Sequence, residues 1–263
     1  MGERATIGQY YPGNSFLHML DPRVKIVLTI AFMVSIFFVN SWIGYGAFAV
    51  YIFVCISIAG IPILRVLKGL KPIFMILIFT FVLNLWIIPG KEIWRWWIFR
   101  ITEEGIYRAI FITIRIILLV FGTTLLTLTT SPLALTDGIE SLLSPLKVIH
   151  FPSHEMAMMI SIALRFIPTL FEESDKIMRA QKARGADFES GNVLNRAKAM
   201  IPLMVPLFLN ALNRADELGD AMEARCYRGG EGRTRLNPLR MLTKDIVTLC
   251  VGLAALNGLG ILL

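Results

Sequence analysis

The chain has little of what catalysis, metal binding or export requires. Its cysteines number three in 263 residues. They are Cys55, Cys226 and Cys250, and two of them lie in apolar runs, so neither a disulfide framework nor a zinc spacing can be drawn from them. There is no G-x-x-x-x-G-K-S/T, which removes the P-loop through which this chain would itself bind and hydrolyse ATP, and there is no H-E-x-x-H. His150 and His154 stand four apart, but Pro152 between them spoils the helix that would put both on one face. No metal site and no catalytic residue is expected. The opening MGERATIGQYYPGNS lacks an apolar core, so no cleavable signal peptide is expected, although M-G-x-x-x-T fits a myristoylation pattern. A basic field for nucleic acid is missing too. The formal charge is +7, but residues 131–263 carry 15 basic and 14 acidic side chains, the mixture of a solvated helical region.

Apolar residues are abundant. They make up 56% of the chain, with a mean hydropathy of +0.66, against about 45–50% in soluble domains. From Val24 to Leu64 the only charge is Lys25. That length suits two spans of about 19 residues each. They would break at Asn40-Ser41, with Trp42 and Tyr45 as interfacial anchors. Asp21-Pro22 reads as an N-cap followed by proline at the first helical position. Further runs cover Ile73–Ile88, Ile106–Thr130 and Ile246–Leu263. The expected fold is an all-α membrane protein of about five transmembrane helices. Residues 1–130 hold the N-terminal tail and four spans, 131–245 a cytoplasmic domain of long coupling helices, and 246–263 the last span.

Loop charges set the orientation. Arg65, Lys68 and Lys71 crowd one loop without an acid, and Arg4, Arg23 and Lys25 lie in or beside the N-terminal tail, so both regions read as cytoplasmic. GKEIWRWWIFRITEE, with its tryptophans and balanced charge, fits the outer interface, and the C-terminus then ends outside. Two apolar patches inside 131–245, Met156–Leu170 and Ala199–Leu212, are each interrupted by proline. Their length suits helices sliding under the membrane better than further crossings.

The five spans contain no Asp or Glu. Ion-coupled carriers usually keep a carboxylate at mid-depth, because a titratable or cation-binding group must change state there. Asn84 and Arg115 are the strongly polar residues well inside. Arg115 reads either as functional or as a side chain that snorkels or binds a neighbouring helix carbonyl. The threonines that close the fourth span suggest hydrogen bonds between helices.

Two segments repeat one pattern. SDKIMRAQKARG and ADELGDAMEARC pair Asp175 with Asp216, Ile177 with Leu218, Ala180 with Ala221, Ala183 with Ala224, and Arg184 with Arg225, each 41 positions apart. The aliphatic, first-alanine and arginine positions, spaced 3 and 4, fall on one helical face. An arginine near a helix end followed by glycine can be ordinary capping. Two copies favour a second reading. Small neighbours (Ala183, Gly185; Ala224, Cys226) leave each guanidinium free to enter a groove and make fork-shaped hydrogen bonds. Two tips imply a partner with two similar grooves, such as a dimer of ATP-binding cassette ATPases.

Here the chain resembles the transmembrane (T) component of energy-coupling factor transporters, the EcfT/CbiQ family. The resemblance rests on the paired Ala183-Arg184-Gly185 and Ala224-Arg225-Cys226, and on YYPGNSFLHMLDPRVK. The latter is similar to the family's Tyr-x-Pro-Gly-x-Ser-x-Leu-His-x-Leu-Asp-Pro-Arg pattern through Tyr10 or Tyr11, Pro12, Gly13, Ser15, Leu17, His18, Leu20, Asp21, Pro22 and Arg23. Cys226 stands where the family usually has Ser or Gly. The resemblance implies a non-catalytic subunit in a bacterial cell membrane. Its partners would be two cassette ATPases, which bind ATP and magnesium, and a small substrate-binding (S) subunit. This chain would carry no cofactor, and Asp175, Asp216, Ala180 and Ala221 would support the arginine motifs. Length and shape are more similar to the scaffold shared among vitamin-binding subunits than to the dedicated cobalt or nickel form. Two other readings are a secondary carrier or channel with a regulatory cytoplasmic domain, and an intramembrane enzyme. The absence of acids in the spans argues against both.

Overall fold

The computed structural model of the chain describes residues 10–89, 91–96, 99–145, 151–186, 188, 192–229 and 239–262. His150 and the myristoylation pattern lie outside them. Asp21 caps a helix as its sequence predicts: its carboxylate accepts the Arg23 N–H at 2.9 Å, and Pro22 takes the first helical position. That helix, α2 (Pro22–Phe38), follows the short α1 (Phe16–Met19). Ser41 caps α3 (Trp42–Ala59) by accepting the Gly44 N–H at 3.0 Å. A bend built from α4 (Ile63–Lys68) and a 3₁₀ turn (Lys71–Ile73) leads into α5 (Phe74–Ile87). Then come α6 (Glu103–Thr129), α7 (Pro132–Leu143), α8 (Ser153–Ala183), α9 (Val193–Ala224) and α10 (Thr243–Leu262). All five apolar runs are therefore helical.

By length and composition Trp42–Ala59, Ile63–Ile87, Glu103–Thr129 and Ser153–Ala183 are each long and apolar enough to cross a membrane, the last being the least apolar. Large apolar side chains stand on the outside: Phe74, Met75, Ile76 and Phe79 of α5 are all more than half exposed. That distribution suits lipid as solvent, and the chain is an all-α, multi-pass membrane protein. One small departure is an antiparallel ribbon of β1 (Glu92–Trp96) and β2 (Phe99–Thr102) inside the tryptophan-rich loop.

The chain divides into two compact units, Met1–Leu142 with Leu239–Leu263, and Leu143–Pro238. The second is narrower than the 131–245 region because α7 packs on α2: a Cβ added at Gly138 would lie 3.0 Å from Pro22 Cβ. In the first unit α2 packs against α6 and α10, and α6 in turn against α3, α4 and α5. Small residues allow this. A Cβ at Gly122 would meet Phe32 at 2.7 Å, and one at Gly252 would meet Leu28 at 2.6 Å. With no hydrophobic drive between helices in lipid, such close approach is what dispersion requires. Phe32, Ile36, Phe48 and Leu256 are buried at the centre.

Two expectations about polar groups in this unit change, and the reading of Arg115 as bound to a neighbouring helix carbonyl is met. Tyr45 is no interfacial anchor. It is 3% exposed, and its hydroxyl accepts from Arg115 Nε at 2.6 Å. Arg115 Nη2 also donates to the Val39 carbonyl at 3.3 Å, so this half-buried arginine is held by the α2–α3 corner. Three threonine hydroxyls at the end of α6 bond backwards within their own helix, not across helices: Thr123 to Leu119, Thr127 to Thr123, Thr129 to Leu125. A carbonyl one turn back is always within reach, and a neighbouring helix is not. Asn84 does the same to Thr80.

Candidate functional site

The two arginine segments fold into the same helix end. Arg184 follows the last residue of α8. Gly185 (φ +90°) adopts the left-handed conformation, its N–H donates to Lys182 O at 3.0 Å, and Ala186 N–H donates to Gln181 O at 3.0 Å. In α9 the same roles fall to Arg225, then Cys226 (φ +56°), whose N–H donates to Glu223 O at 2.8 Å, and Tyr227, whose N–H donates to Met222 O at 3.0 Å. These are two Schellman caps, in which the residue after the arginine, and not the arginine itself, closes the helix. The sequence suggested small neighbours in order to leave the guanidinium unobstructed; the cap gives the third position a separate reason. The third motif position must be left-handed, which glycine does freely and other residues at a cost.

Because backbone N–H groups close both caps, the guanidinium groups are spare. Arg184 and Arg225 are exposed, and their guanidinium groups make no hydrogen bond or ion pair among the described residues. Ala183 and Ala224 are exposed beside them, as are Asp175, Asp216, Ala180 and Ala221. The expected stripe is only partly inward, with Ile177 and Leu218 half-buried while its alanine and arginine members face outward. The half-buried residues repeat as Glu173, Ile177 and Gln181 in α8 and as Arg214, Leu218 and Met222 in α9. Sequence comparison stopped at Asp175 and missed Glu173 and Arg214, which form an ion pair between the helices. Their shared offset was the signal available.

In the other unit, the N-terminal pattern folds into a clasp. His18 Nε2 lies 2.9 Å from Tyr11 O, which can only accept, so Nε2 carries the proton and Nδ1 accepts the Ser15 hydroxyl at 2.7 Å. A Cβ at Gly13 would sit 2.9 Å from the His18 ring. Tyr11 N–H donates to Leu128 O at 2.9 Å, and the Arg65 guanidinium covers the Tyr11 ring at 4.1 Å. Tyr10 packs edge-on against His18 at 6.3 Å. The buried Lys25 donates to His18 O at 3.1 Å and Thr129 O at 3.0 Å. Asp245, unremarked in the sequence except as a boundary, is 1% exposed. It accepts the backbone N–H groups of Asp21 at 3.3 Å and Leu242 at 2.8 Å, joining the starts of α2 and α10. Burial pushes the Asp21 carboxyl up, but hydrogen bonds from the Arg23 side chain and backbone, with the charges of Arg23 and Lys25, hold it below its usual value. Among the described residues no cluster of three or more His, Cys, Asp or Glu is placed to hold a metal.

This is a helical membrane protein in which two matched arginines stand exposed at the ends of two long helices closed by like caps. The sequence profile of the family described as cobalt transport protein, CbiQ, matches residues 13–236. The energy-coupling factor transporter transmembrane protein EcfT of Thermosediminibacter oceani is 54% identical over 97% of this chain and 96% of its own length. Its namesake from Listeria innocua is 46% identical over 98% of both. The chain belongs to the EcfT/CbiQ family of transporter membrane components.

Proposed function

We propose that this chain is the membrane scaffold of an ATP-driven energy-coupling factor importer for a vitamin or similar micronutrient. It couples hydrolysis in two cassette ATPases to movement of a small substrate-binding membrane subunit. ATP and magnesium belong to the ATPases, and this chain carries no cofactor of its own. The protein sits in the bacterial cell membrane with its N-terminus and residues 131–245 in the cytoplasm. The observation that carries the reading is the pair of exposed, unpaired arginines held in identical caps. Identical presentation is what a two-fold partner with two like grooves requires, and a planar guanidinium gives the fork that such a groove recognises.

The test is recovery of the ATPases by Arg184→Glu with Arg225→Glu. Each lost set of charge-assisted bonds is worth about 1.5–3 kcal/mol, and two tethered contacts reinforce each other. One substitution weakens the complex and both dissociate it, while insertion into the membrane stays normal. Full recovery of both ATPases by the double variant overturns the reading.

A further inference from the structure

The ion pair between Glu173 Oε1 and Arg214 Nη2 ties α8 to α9. Both residues are half-buried. The second carboxylate oxygen, Glu173 Oε2, is buried without a hydrogen-bond partner, so this oxygen adds no competing anchor. The Arg214 guanidinium also lies 5.7 Å from the centre of the Phe166 ring. Phe166 precedes Glu173 by seven residues, close to two helical turns, so one arginine of α9 grips two turns of α8. Residue numbers 173 and 214 differ by 41, as 184 and 225 do. The two copies of the repeat therefore touch each other at equivalent points, and each arginine tip lies eleven residues further along its helix.

We propose that Glu173 and Arg214 are positioning residues: a brace that joins the two coupling helices at equivalent points and so fixes the spacing and direction of the Arg184 and Arg225 tips. The proposal rests on the docking reading above. Eleven residues make an arm of about 16 Å, so a rotation of about 10° at the brace carries a tip about 3 Å. Hydrogen bonds keep their strength only over about 0.5 Å of donor–acceptor distance, so a loose crossing would place one tip out of reach whenever the other docked. The helices are built accordingly. Residues 174–183 and 215–224 contain no proline, while Pro168, Pro202 and Pro206 all precede the brace. Proline removes a helix hydrogen bond and permits bending. The arms that carry the tips thus keep their full ladder, and deformation is confined to the opposite side. A displacement imposed on one tip rotates its arm and passes through the ion pair to the other helix.

The experiment uses Glu173→Arg, Arg214→Glu, their combination, and the milder Glu173→Gln. With Cys55, Cys226 and Cys250 replaced by serine, spin labels on Arg179→Cys and Asp220→Cys, an exposed equivalent pair in the two arms, report the separation of the arms in the purified chain without ATPases. Affinity for the two cassette ATPases is measured in parallel. Each charge reversal broadens the label–label distance distribution and weakens ATPase binding by about ten-fold, and the combined exchange restores both to within about three-fold. Glu173→Gln, which keeps the side-chain volume, falls between wild type and the reversals in both readouts. Unchanged distances in the single variants, or a combined variant no better than the worse single one, overturn the proposal. So do broadened distances with unchanged ATPase affinity. Failure of the docking reading is seen separately, as undiminished ATPase recovery by the tip variants, since the distances are read without any partner.

Discussion

Gly185 and Cys226 occupy the same position in two helix ends, both left-handed, at φ +90° and +56°. Cys226 is the one non-glycine residue with positive φ among those described. A side chain there costs about 1–2 kcal/mol, partly offset by the greater freedom glycine has when unfolded, about 0.4–1 kcal/mol. Cys226→Gly is therefore expected to raise the stability of the purified chain by several tenths of a kcal/mol to about 1 kcal/mol. Gly185→Ala should lower it by a similar amount. Thermal unfolding in detergent measures both. A stabilising Gly185→Ala would show that the cap geometry is not what selects the residue.

Much of this is legible in the sequence. Asp21-Pro22 marked a helix start by local chemistry that needs no tertiary context, Asn40-Ser41 marked the break between two runs, and apolar runs located the five span helices by length alone. The repeat found both caps because Ala-Arg followed by a small residue is a local pattern. Tyr45 was misplaced because an aromatic near a helix end has two uses, and the choice depended on Arg115, 70 residues away. The β1–β2 ribbon was missed because its strands are short and lie in a loop already explained by its tryptophans. Glu173 and Arg214 carry no local signal, since they matter only where two helices meet.

The Arg115–Tyr45 contact should behave as a half-buried charge with one side-chain hydrogen-bond partner. Tyr45→Phe removes a hydrogen bond to a charged group, costing about 1.5–3 kcal/mol. Tyr45→Phe combined with Arg115→Met removes both partners, and such paired apolar replacements are often close to neutral. The combined variant is expected to unfold at a higher temperature than Tyr45→Phe alone. The reverse order would mean that Arg115 has a role beyond holding α6 to the α2–α3 corner.

Asp21 sets an acid limit on the clasp. Its folded pKa lies below its unfolded one. Its contribution to stability is therefore complete above the unfolded value of about 3.9 and is lost as pH falls through the folded value. Stability of the wild-type chain should fall below about pH 4 more steeply than that of Asp21→Asn, which has no proton to gain. Parallel slopes for the two proteins would assign the acid sensitivity to other carboxylates.

Cys226 is an exposed native thiol next to Arg225, so it can report both orientation and docking. Cys55→Ser and Cys250→Ser remove the other two cysteines. If residues 131–245 face the cytoplasm, a membrane-impermeant maleimide should leave Cys226 untouched in intact cells and label it in inverted vesicles. Lys91→Cys, exposed beside the ribbon, should show the opposite pattern once Cys226→Ser removes the native thiol. Labelling of Cys226 from outside sinks the assigned orientation. Occupancy of the adjacent groove by Arg225 must also cover the thiol. Cassette ATPases added at about ten times their Kd should slow its labelling by roughly ten-fold, and Arg225→Glu should abolish that protection. Equal protection in Arg225→Glu would mean that the ATPases shield this surface without taking up the arginine.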